Sequence, residues 1–435
     1  PVIPSPPQQY PIDLSVALRL AEAENPTIAQ ARTQILQALA LQQIARSLLL
    51  PTLNAGTNYH GHTGNLQRSS GRIFAVSEQS LYFGGGARTL AAETLAIPMI
   101  NIASPITEAV YEPLAARQRL NSARLNTAAT FNSVLRDVAV LYLDLLGAEA
   151  VLQAQRLSES QTAEVVRLTM EFAETGEGRY ADANRADAEW KLRRAEVQKA
   201  EEEMAVASAR LSQRLNLDPS VRLHTLAPGL APIELIDPTA TTEDLLQIAL
   251  RRRPELGARA ADISLAQYKL KEELARPWLP TFWLGFSGGA FGGGSNRTPP
   301  LLSDFKGRTD FDVRAFWTLL NFGAGNLALQ NRRRAEIGQA IAARSRMINE
   351  VRREVASARA EALARRQQVE IARRKLTAAD EGFHQDLELA HQGLNRPIEV
   401  LDNLNLLASA RLELIRAITQ YNQAEFRLFV ALGSP

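Results

Sequence analysis

The chain has 435 residues, no cysteine, and 49 basic against 47 acidic side chains for a net charge of +2. The charge balance argues against a nucleic-acid protein, and the missing cysteines exclude disulfides, thiolate chemistry and Cys-ligated metals while suiting an oxidising compartment. No apolar run reaches about 18 residues, so no transmembrane helix is predicted, but barrel strands of about 9–11 alternating residues are not excluded.

The opening Pro1–Pro7 lacks the basic head and apolar core of a signal peptide and reads as the extended start of a trimmed chain. Residues 13–48 are predicted helical. Asp13 or Ser15 serves as cap, and Pro26 opens a second segment at a tolerated first-turn position. Residues 51–62 alternate, with Leu53, Ala55, Thr57 and Tyr59 on one face and Asn54, Asn58, His60 and His62 on the other, which is the period of a strand. Residues 63–93 are polar and glycine-rich and read as a long loop with some strand extension. Residues 94–112 read as a second strand. From about 114 to 174 the chain reads as one helix, roughly 90 Å long, in which Val138, Leu145 and Leu152 recur at seven. Gly176-Glu177-Gly178 turns the chain into another helix, about 180–215. Residues 219–240 hold four prolines and read as a linker.

The second half repeats the plan. Helices begin at Thr242 and Pro254, a strand covers 281–291, a glycine loop 292–296, and a strand 308–320. In the last strand Phe311, Val313, Ala315, Trp317 and Leu319 share one face, and Asp310, Asp312, Arg314 and Thr318 the other. Ile341, Ile348, Val355, Ala362, Val369 and Leu376 hold a strict seven-residue spacing along a helix of about 326–390, a left-handed coiled-coil seam. Gly393 turns the chain into a last helix, Pro397 to about Leu432. Asn25-Pro26 with Leu50-Pro51 recurs as Arg253-Pro254 with Leu279-Pro280, about 228 positions later, so the chain is a tandem duplication. The first repeat is read as 1–218, the linker as 219–240 and the second repeat as 241–435.

Helices of this length need neighbours along their whole length. The strands pose a sharper problem. Four strands do not close a sheet, and an open edge is intolerable in lipid. The smallest membrane barrels have about eight strands. Two copies supply about that number and leave no useful pore, while three copies supply about twelve. Phe311, Val313 and Trp317 suit hydrocarbon. Asn54, Asn58, His60, Asp310, Asp312 and Arg314 suit a wet lumen.

In this order of motifs, twice over, the sequence from about Ile12 to Gly433 resembles the TolC-like outer membrane efflux proteins. Leu320-Asn321-Phe322-Gly323-Ala324-Gly325-Asn326 is similar to the family's strand-to-helix motif, usually Leu-Phe-Asp-Gly-Gly-x-Arg, with its arginines displaced to Arg332–Arg334. Glu112-Pro113-Leu114 occupies that place in the first half and departs further. The resemblance implies a mainly α fold with a β-barrel part: a homotrimer whose twelve-stranded barrel stands in the outer membrane, continuous with a long periplasmic α-helical barrel. It implies a passive duct that works with a periplasmic adaptor and an inner-membrane transporter, in efflux or type I secretion. The tip turns, with Gly176, Gly178, Gly393 and Asn395, are the expected adaptor contacts. Gly176 with Asp182, and Gly393 with Glu399, fit the family's tip pattern of Gly followed six positions later by an acid; Asp402 matches a second acidic position of its gate. Glu399 and Asp402 fall on adjacent turns of one helix face. Three copies form stacked carboxylate rings that select cations and throttle a pore, although a helix start also favours acids through its dipole alone.

The remaining features read as structural. His60 and His62 share a strand face but lack a carboxylate at ligand spacing, so lumen lining is favoured over metal binding. The runs Arg251–Arg253, Arg332–Arg334 and Arg352-Arg353 read as solvated helix faces. Trp278, Trp283, Trp317 and Tyr82 lie near strand ends and suit either core packing or an interface belt. Gly84–Thr89 lacks the Lys-Ser/Thr pair of a phosphate loop. No nucleophile, base and orienting group recur together, so neither an enzyme nor a cofactor or metal is expected. The alternative to a channel is a periplasmic coiled-coil adaptor or scaffold without a membrane barrel.

Overall fold

A computed structural model of the chain describes residues 9–85, 100–218, 220–227, 229–392, 394 and 397–433. Element lengths pair off between the two halves. Helices α1 (Leu14–Glu24) and α5 (Thr242–Arg252) have 11 residues each, and α2 (Pro26–Ser47) and α6 (Pro254–Ala275) have 22 each. Helices α3 (Ile106–Glu174) and α7 (Ala324–His391) have 69 and 68, and α4 (Tyr180–Arg214) and α8 (Pro397–Ala431) have 35 each. The strands are β1 (Gln9–Ile12), β2 (Gly56–Gln67), β3 (Ile73–Gly84), β4 (Ile100–Pro105), β5 (Arg222–Thr225), β6 (Thr281–Ser295) and β7 (Thr298–Phe316). The chain forms two compact units, and neither coincides with one repeat. One comprises Pro1–Ile35, Arg124–Ala258 and Arg344–Pro435, the other Leu36–Ala123 and Arg259–Ala343.

The first unit is helical, with β1 and β5 paired in parallel. Val138, Leu145 and Leu152, the seven-spaced residues of α3, are buried. Val355, Ala362 and Val369 of the α7 seam are buried likewise. Gly147 continues α3 instead of breaking it, and its missing Cβ leaves room for Thr419 of α8, whose Oγ1 a Cβ there would meet at 2.6 Å. The two helix-opening prolines have a shared logic. Asn25 is buried; its Oδ1 accepts from Thr27 N–H at 2.9 Å, capping α2, and its Nδ2 donates to the Arg214 carbonyl at 2.8 Å, closing the last turn of α4. Its counterpart Arg253 donates from Nε to the Ala431 carbonyl at 3.0 Å, the last residue of α8. Arg253 also pairs with Glu255 at 3.2 Å and with Glu354. It is therefore a buried tie rather than a solvated helix face.

The proline-rich stretch 219–240 is strapped to the helices. Asn422 of α8 accepts from Ile233 N–H at 2.7 Å and donates to the Ala231 carbonyl at 2.8 Å. Glu425 accepts from Leu235 and Ile236 N–H at 2.9 and 3.1 Å. Asn422 and Glu425 are buried, and each serves backbone groups that prolines and irregular structure leave without ladder partners.

The second unit contains an antiparallel sheet in the order β2-β3-β6, with β7 on the far side of β6 and β4 beside the start of β6. Several strand bounds differ from the sequence reading. The first strand starts at Gly56, not 51; before it, Thr52 forms an isolated bridge to Asn101. The stretch 63–93 contains β3, paired on both sides, where Glu78, Gln79 and Ser80 hide the apolar period. The second strand is reduced to β4, and α3 begins at Ile106, taking Pro113 into its early turns; residues 94–99 lie outside the described residues. The glycines 292–294 belong to β6, not a loop. Neighbouring rings lie across this strand: a Cβ at Gly289 would meet Tyr82 Oη at 2.4 Å, and one at Gly292 would meet Phe305 Cδ1 at 2.7 Å. Strand β7 therefore starts at Thr298 and ends at Phe316, leaving Trp317 beyond the ladder.

At the end of β7 a 3-10 turn, Leu320–Gly323, leads into α7. Asn321, Phe322 and Gly323 all have left-handed φ (51°, 53° and 92°). Asn326 Oδ1 holds the turn by accepting from Leu320 N–H at 2.8 Å. Nearby, Glu272 and Glu273 of α6 are buried and meet Arg276 at 2.8 and 2.9 Å; Arg276 also reaches Glu108 of α3 at 3.3 Å, and Arg333 of α7 reaches Glu273 at 3.5 Å. Arg333, like Arg253, is thus partly buried and paired with acids rather than solvated. This network ties the helix ends where the chain enters and leaves the sheet.

Two outcomes test these ties. Replacing Asn25 by alanine leaves the Arg214 carbonyl and the α2 start uncapped and lowers stability by about 1–3 kcal/mol, read from the denaturation midpoint. Burial holds the Glu272 carboxyl above the ordinary carboxylate range despite the pull of Lys269 and Arg276. Its contribution is therefore fully present below the unfolded pKa and is lost as pH rises through the raised folded value. Glu272→Gln removes that segment of the pH–stability profile; an unaltered profile contradicts the assignment.

Candidate functional site

The strand register sorts the sheet into two faces. Opposite residues share a face in an antiparallel pair. Leu284 faces Val313 and Phe286 faces Phe311 on one side; Gly285 faces Asp312, Ser287 faces Asp310 and Trp283 faces Arg314 on the other. Carried through β3 to β2, the first face adds Leu81, Phe83 and Tyr59, and the second adds Tyr82, Ser80, Asn58 and His60. Tyr59, Phe83, Leu284, Phe286, Phe311 and Val313 are all exposed in the single chain. One face is therefore apolar and uncovered.

The structure brings Asn58, His60, Asp310, Asp312 and Arg314 to the polar face. Asn54 precedes β2 and lies outside the pleat. Trp317 is exposed past the end of β7, where its indole N–H donates to the Trp278 carbonyl at 3.2 Å. Trp283 and Tyr82 belong to the polar face, with Tyr82 buried, so neither joins the exposed apolar face. The charges of β7 are matched: Arg308 meets Asp310 at 2.8 Å, Arg314 meets Asp312 at 3.8 Å, and the Arg314 guanidinium lies 4.9 Å from the Trp283 ring. A cavity of about 500 Å³ opens on this face among Asn58, His60, Glu78, Tyr82, Asp304 and Lys306. Pairing also sets Glu78 opposite His62, a carboxylate that sequence spacing did not reveal. Among the described residues, however, no three such side chains form a metal-holding group.

The hairpin turn between α3 and α4 is built on Gly176, whose φ of 83° favours glycine, and on Gly178, whose N–H donates to the Phe172 carbonyl at 2.8 Å. Asp182 falls in the first turn of α4 and makes no ion pair among the described residues. Gly393 and Asn395 lie outside the described residues. Glu399 stands exposed in the first turn of α8. Asp402, one turn on and 74% exposed, meets Arg185 of α4 at 3.4 Å. Sequence reasoning missed Arg185 because the contact joins helices from different repeats. Beneath these groups α8 packs tightly: Val400, Leu401, Leu404 and Leu407 are buried against Phe383 and Ala379 of α7 and Val165 of α3. Buried Arg193 of α4 reaches Asn405 at 2.5 Å.

Comparisons with known proteins agree with this geometry. Residues 245–434 match the family model described as outer membrane efflux protein. A search of curated proteins finds no sequence match. Among solved structures the chain is similar to a membrane protein from Pseudomonas aeruginosa, with TM-score 0.76 and 20% identity over 98% of this chain and 91% of that one. It is also similar to the CmeC outer membrane channel of Campylobacter jejuni, with TM-score 0.76 and 14% identity over 97% and 85% of the two chains. A third is the open state of the MtrE outer membrane channel of Neisseria gonorrhoeae, with TM-score 0.69 and 17% identity over 97% and 89%. At these identities the likeness is one of fold. The chain thus has the fold of these outer membrane channels along nearly its whole length, and its residues 245–434 match the outer membrane efflux protein family model.

Proposed function

We propose that this chain is the outer-membrane channel of a tripartite efflux or type I secretion system, a passive exit duct gated at its periplasmic tip. The observation that carries the reading is the sheet in the second unit. It has one exposed apolar face, one charged face, and edge strands β2 and β7 that among the described residues each pair on one side only. Such a sheet is satisfied by lipid on one face, water on the other, and further copies at its edges. Strands β3 and β4 pair with successive stretches of one side of β6, so the sheet is four strands wide, and three copies supply about twelve strands and a pore, as the resemblance implies. A periplasmic adaptor or scaffold has no use for this sheet, so that alternative is not favoured. The family is one of channels rather than enzymes.

In this reading Phe311 and Val313 face lipid, with Trp317 at the hydrocarbon boundary. Asn58, His60, Asp310, Asp312 and Arg314 line the lumen, with Asn54 at its lower rim. The turns holding Gly176, Gly178, Gly393 and Asn395 dock the adaptor, through which an inner-membrane transporter supplies the energy. Glu399, Asp402 and Asp182 form the carboxylate gate. Arg185 joins them, holding Asp402 and partly neutralising its ring.

Mass measurement in detergent is expected to give a trimer; a stable monomer in plain buffer refutes the channel. In planar bilayers, Glu399→Ala with Asp402→Ala raises single-channel current and weakens block by multivalent cations, whereas an unaltered current removes the gate assignment. Arg185→Ala frees Asp402 and strengthens that cation block, by a factor of about 2–5 for one exposed ion pair.

A further inference from the structure

The turns of the two sheet hairpins carry a charge arrangement that a passive duct does not require. Residues 64–77, around the β2–β3 turn, and residues 292–303, around the β6–β7 turn, contain Arg68, Arg72 and Arg297 and no Asp or Glu. Two of these arginines lie over one ring. The Arg68 guanidinium is 5.0 Å from the Phe74 centroid and that of Arg297 is 4.4 Å from it. The two cations are therefore within roughly 10 Å of each other. They come from different hairpins, and backbone pairing fixes them in place. Asn296 N–H donates to the Ser77 carbonyl at 2.9 Å, Ser77 N–H donates to Asn296 Oδ1 at 3.2 Å, and Arg297 donates to the Ala75 carbonyl at 3.3 Å.

Elsewhere on the polar face, arginine is matched by aspartate, as at Arg308–Asp310 and Arg314–Asp312. Arg68 and Arg297 make no ion pair among the described residues. Phe74 is in phase with Glu78 and Ser80 along β3, so the cluster lies on the polar face. It stands at the end of the sheet away from Ile106 and Ala324, where the chain enters α3 and α7. A guanidinium stacked on a ring keeps its edge N–H groups turned outward for oxygen acceptors; Arg297 uses Nη2 on the Ala75 carbonyl and has its other N–H groups left for a ligand. Two such forks close together, without a carboxylate, suit an anion with several oxygens.

We propose that Arg68, Arg297 and Phe74 form a binding site for soluble phosphate-bearing anions at the outer mouth of the lumen, with Arg72 adding charge at its rim. The placement in a lumen rests on the channel reading above; the binding itself does not. Three copies would ring the mouth with charge opposite to that of the gate carboxylates.

Sodium tripolyphosphate is the probe. Calorimetric titration of the intact protein in detergent is expected to show binding that weakens at least about tenfold in the R68Q/R297Q double variant. Phe74→Ala, which removes the platform but no charge, weakens it to a lesser degree. Equal affinity in wild type and double variant overturns the site. In planar bilayers, tripolyphosphate added on the hairpin-turn side is expected to block the current, and R68Q/R297Q raises the half-blocking concentration by a similar factor while conductance without the probe persists. Binding without block overturns the lumenal placement. An effect that appears only when phosphorylated lipid is in the bilayer overturns the soluble-anion assignment in favour of a headgroup. A wild-type protein that binds tripolyphosphate but never conducts counts against the channel reading and not against the site.

Discussion

An edge strand presents a row of backbone N–H and C=O groups that must find partners, and in this sheet both edges are open. Among the described residues strand β2 pairs only with β3, and β7 only with β6. In water such edges invite uncontrolled pairing; in lipid each unpaired group costs several kcal/mol. The same sheet leaves Tyr59, Phe83, Phe286 and Phe311 uncovered on one face. Closing the edges against further copies meets the first demand, and lipid meets the second. Neither remedy works alone, since a closed barrel with an apolar exterior still needs a bilayer. The helices inherit this constraint. Strand β4 runs straight into α3, and β7 into α7 through one short turn, so closing the sheet also brings neighbouring copies' helices together. Ile341, first residue of the seven-spaced seam, is left half-exposed in the single chain.

The two repeats meet one geometric demand with different chemistry. Each needs a donor for the last carbonyls of its fourth helix, at the point where its second helix begins. Asn25 supplies a short neutral amide and needs nothing further. Arg253 supplies a long guanidinium, and a buried charge must be paired. Glu255 and Glu354 follow from that choice. The charge they bring lies in a cavity of about 800 Å³ that also holds Arg136, Asp137, Arg214 and Arg427. Those groups are paired as well: Arg136 and Arg214 both meet Asp137, at 2.8 and 2.7 Å, and Arg427 meets Glu361 at 3.0 Å. The cavity reads as a consequence of the asymmetric cap, and its charges are internally spent.

Features with a strong local period were legible in the sequence. The long helices, the heptad core of Val355, Ala362 and Val369, and the opposition of Phe311 and Val313 to Asp310 and Asp312 all belong to this class. Features set by a neighbour were not. Strand β3 carries Glu78, Gln79 and Ser80 in sequence, and only its pairing with β2 and β6 makes it a strand. The glycines of β6 look like a loop until Tyr82 and Phe305 are laid across them. Arg253 and Arg333 look solvated until the acids that bury them arrive from distant helices. The acid positions Glu399 and Asp402 were legible from spacing, but Arg185 is 217 positions from Asp402 and no local signal links the two.

The distribution of tied and loose contacts bears on where such a molecule yields. The strand-to-helix junction is over-determined. Asn321 and Phe322 hold left-handed backbone that costs about 1–2 kcal/mol for each non-glycine residue, and such strain persists only where surrounding contacts fix it. Asn326 provides one such contact by holding Leu320, while the Glu272–Glu273–Arg276 network ties α6 to α3 and α7, and breaking one partner of a buried pair strands the other charge. The hairpin starts differ. Around Glu399 the apolar core thins out at Ala390 and Ile398, and the charged contact there, Arg185 to Asp402, has both partners largely in water. Exposed pairs of that kind contribute about 0–1 kcal/mol and weaken with salt. Bending at the junction would sacrifice several charged ties at once, whereas the first turns of α4 and α8 are joined, among the described ion pairs, by one solvated pair beside the small buried side chains Ala183 and Ala186. Below Asp402 the resistance rises again, because Arg193, bonded to Glu189, Glu196 and Asn405, is buried. The first turns of α4 and α8 are therefore the compliant part of the first unit, with Arg193 as the point where compliance ends.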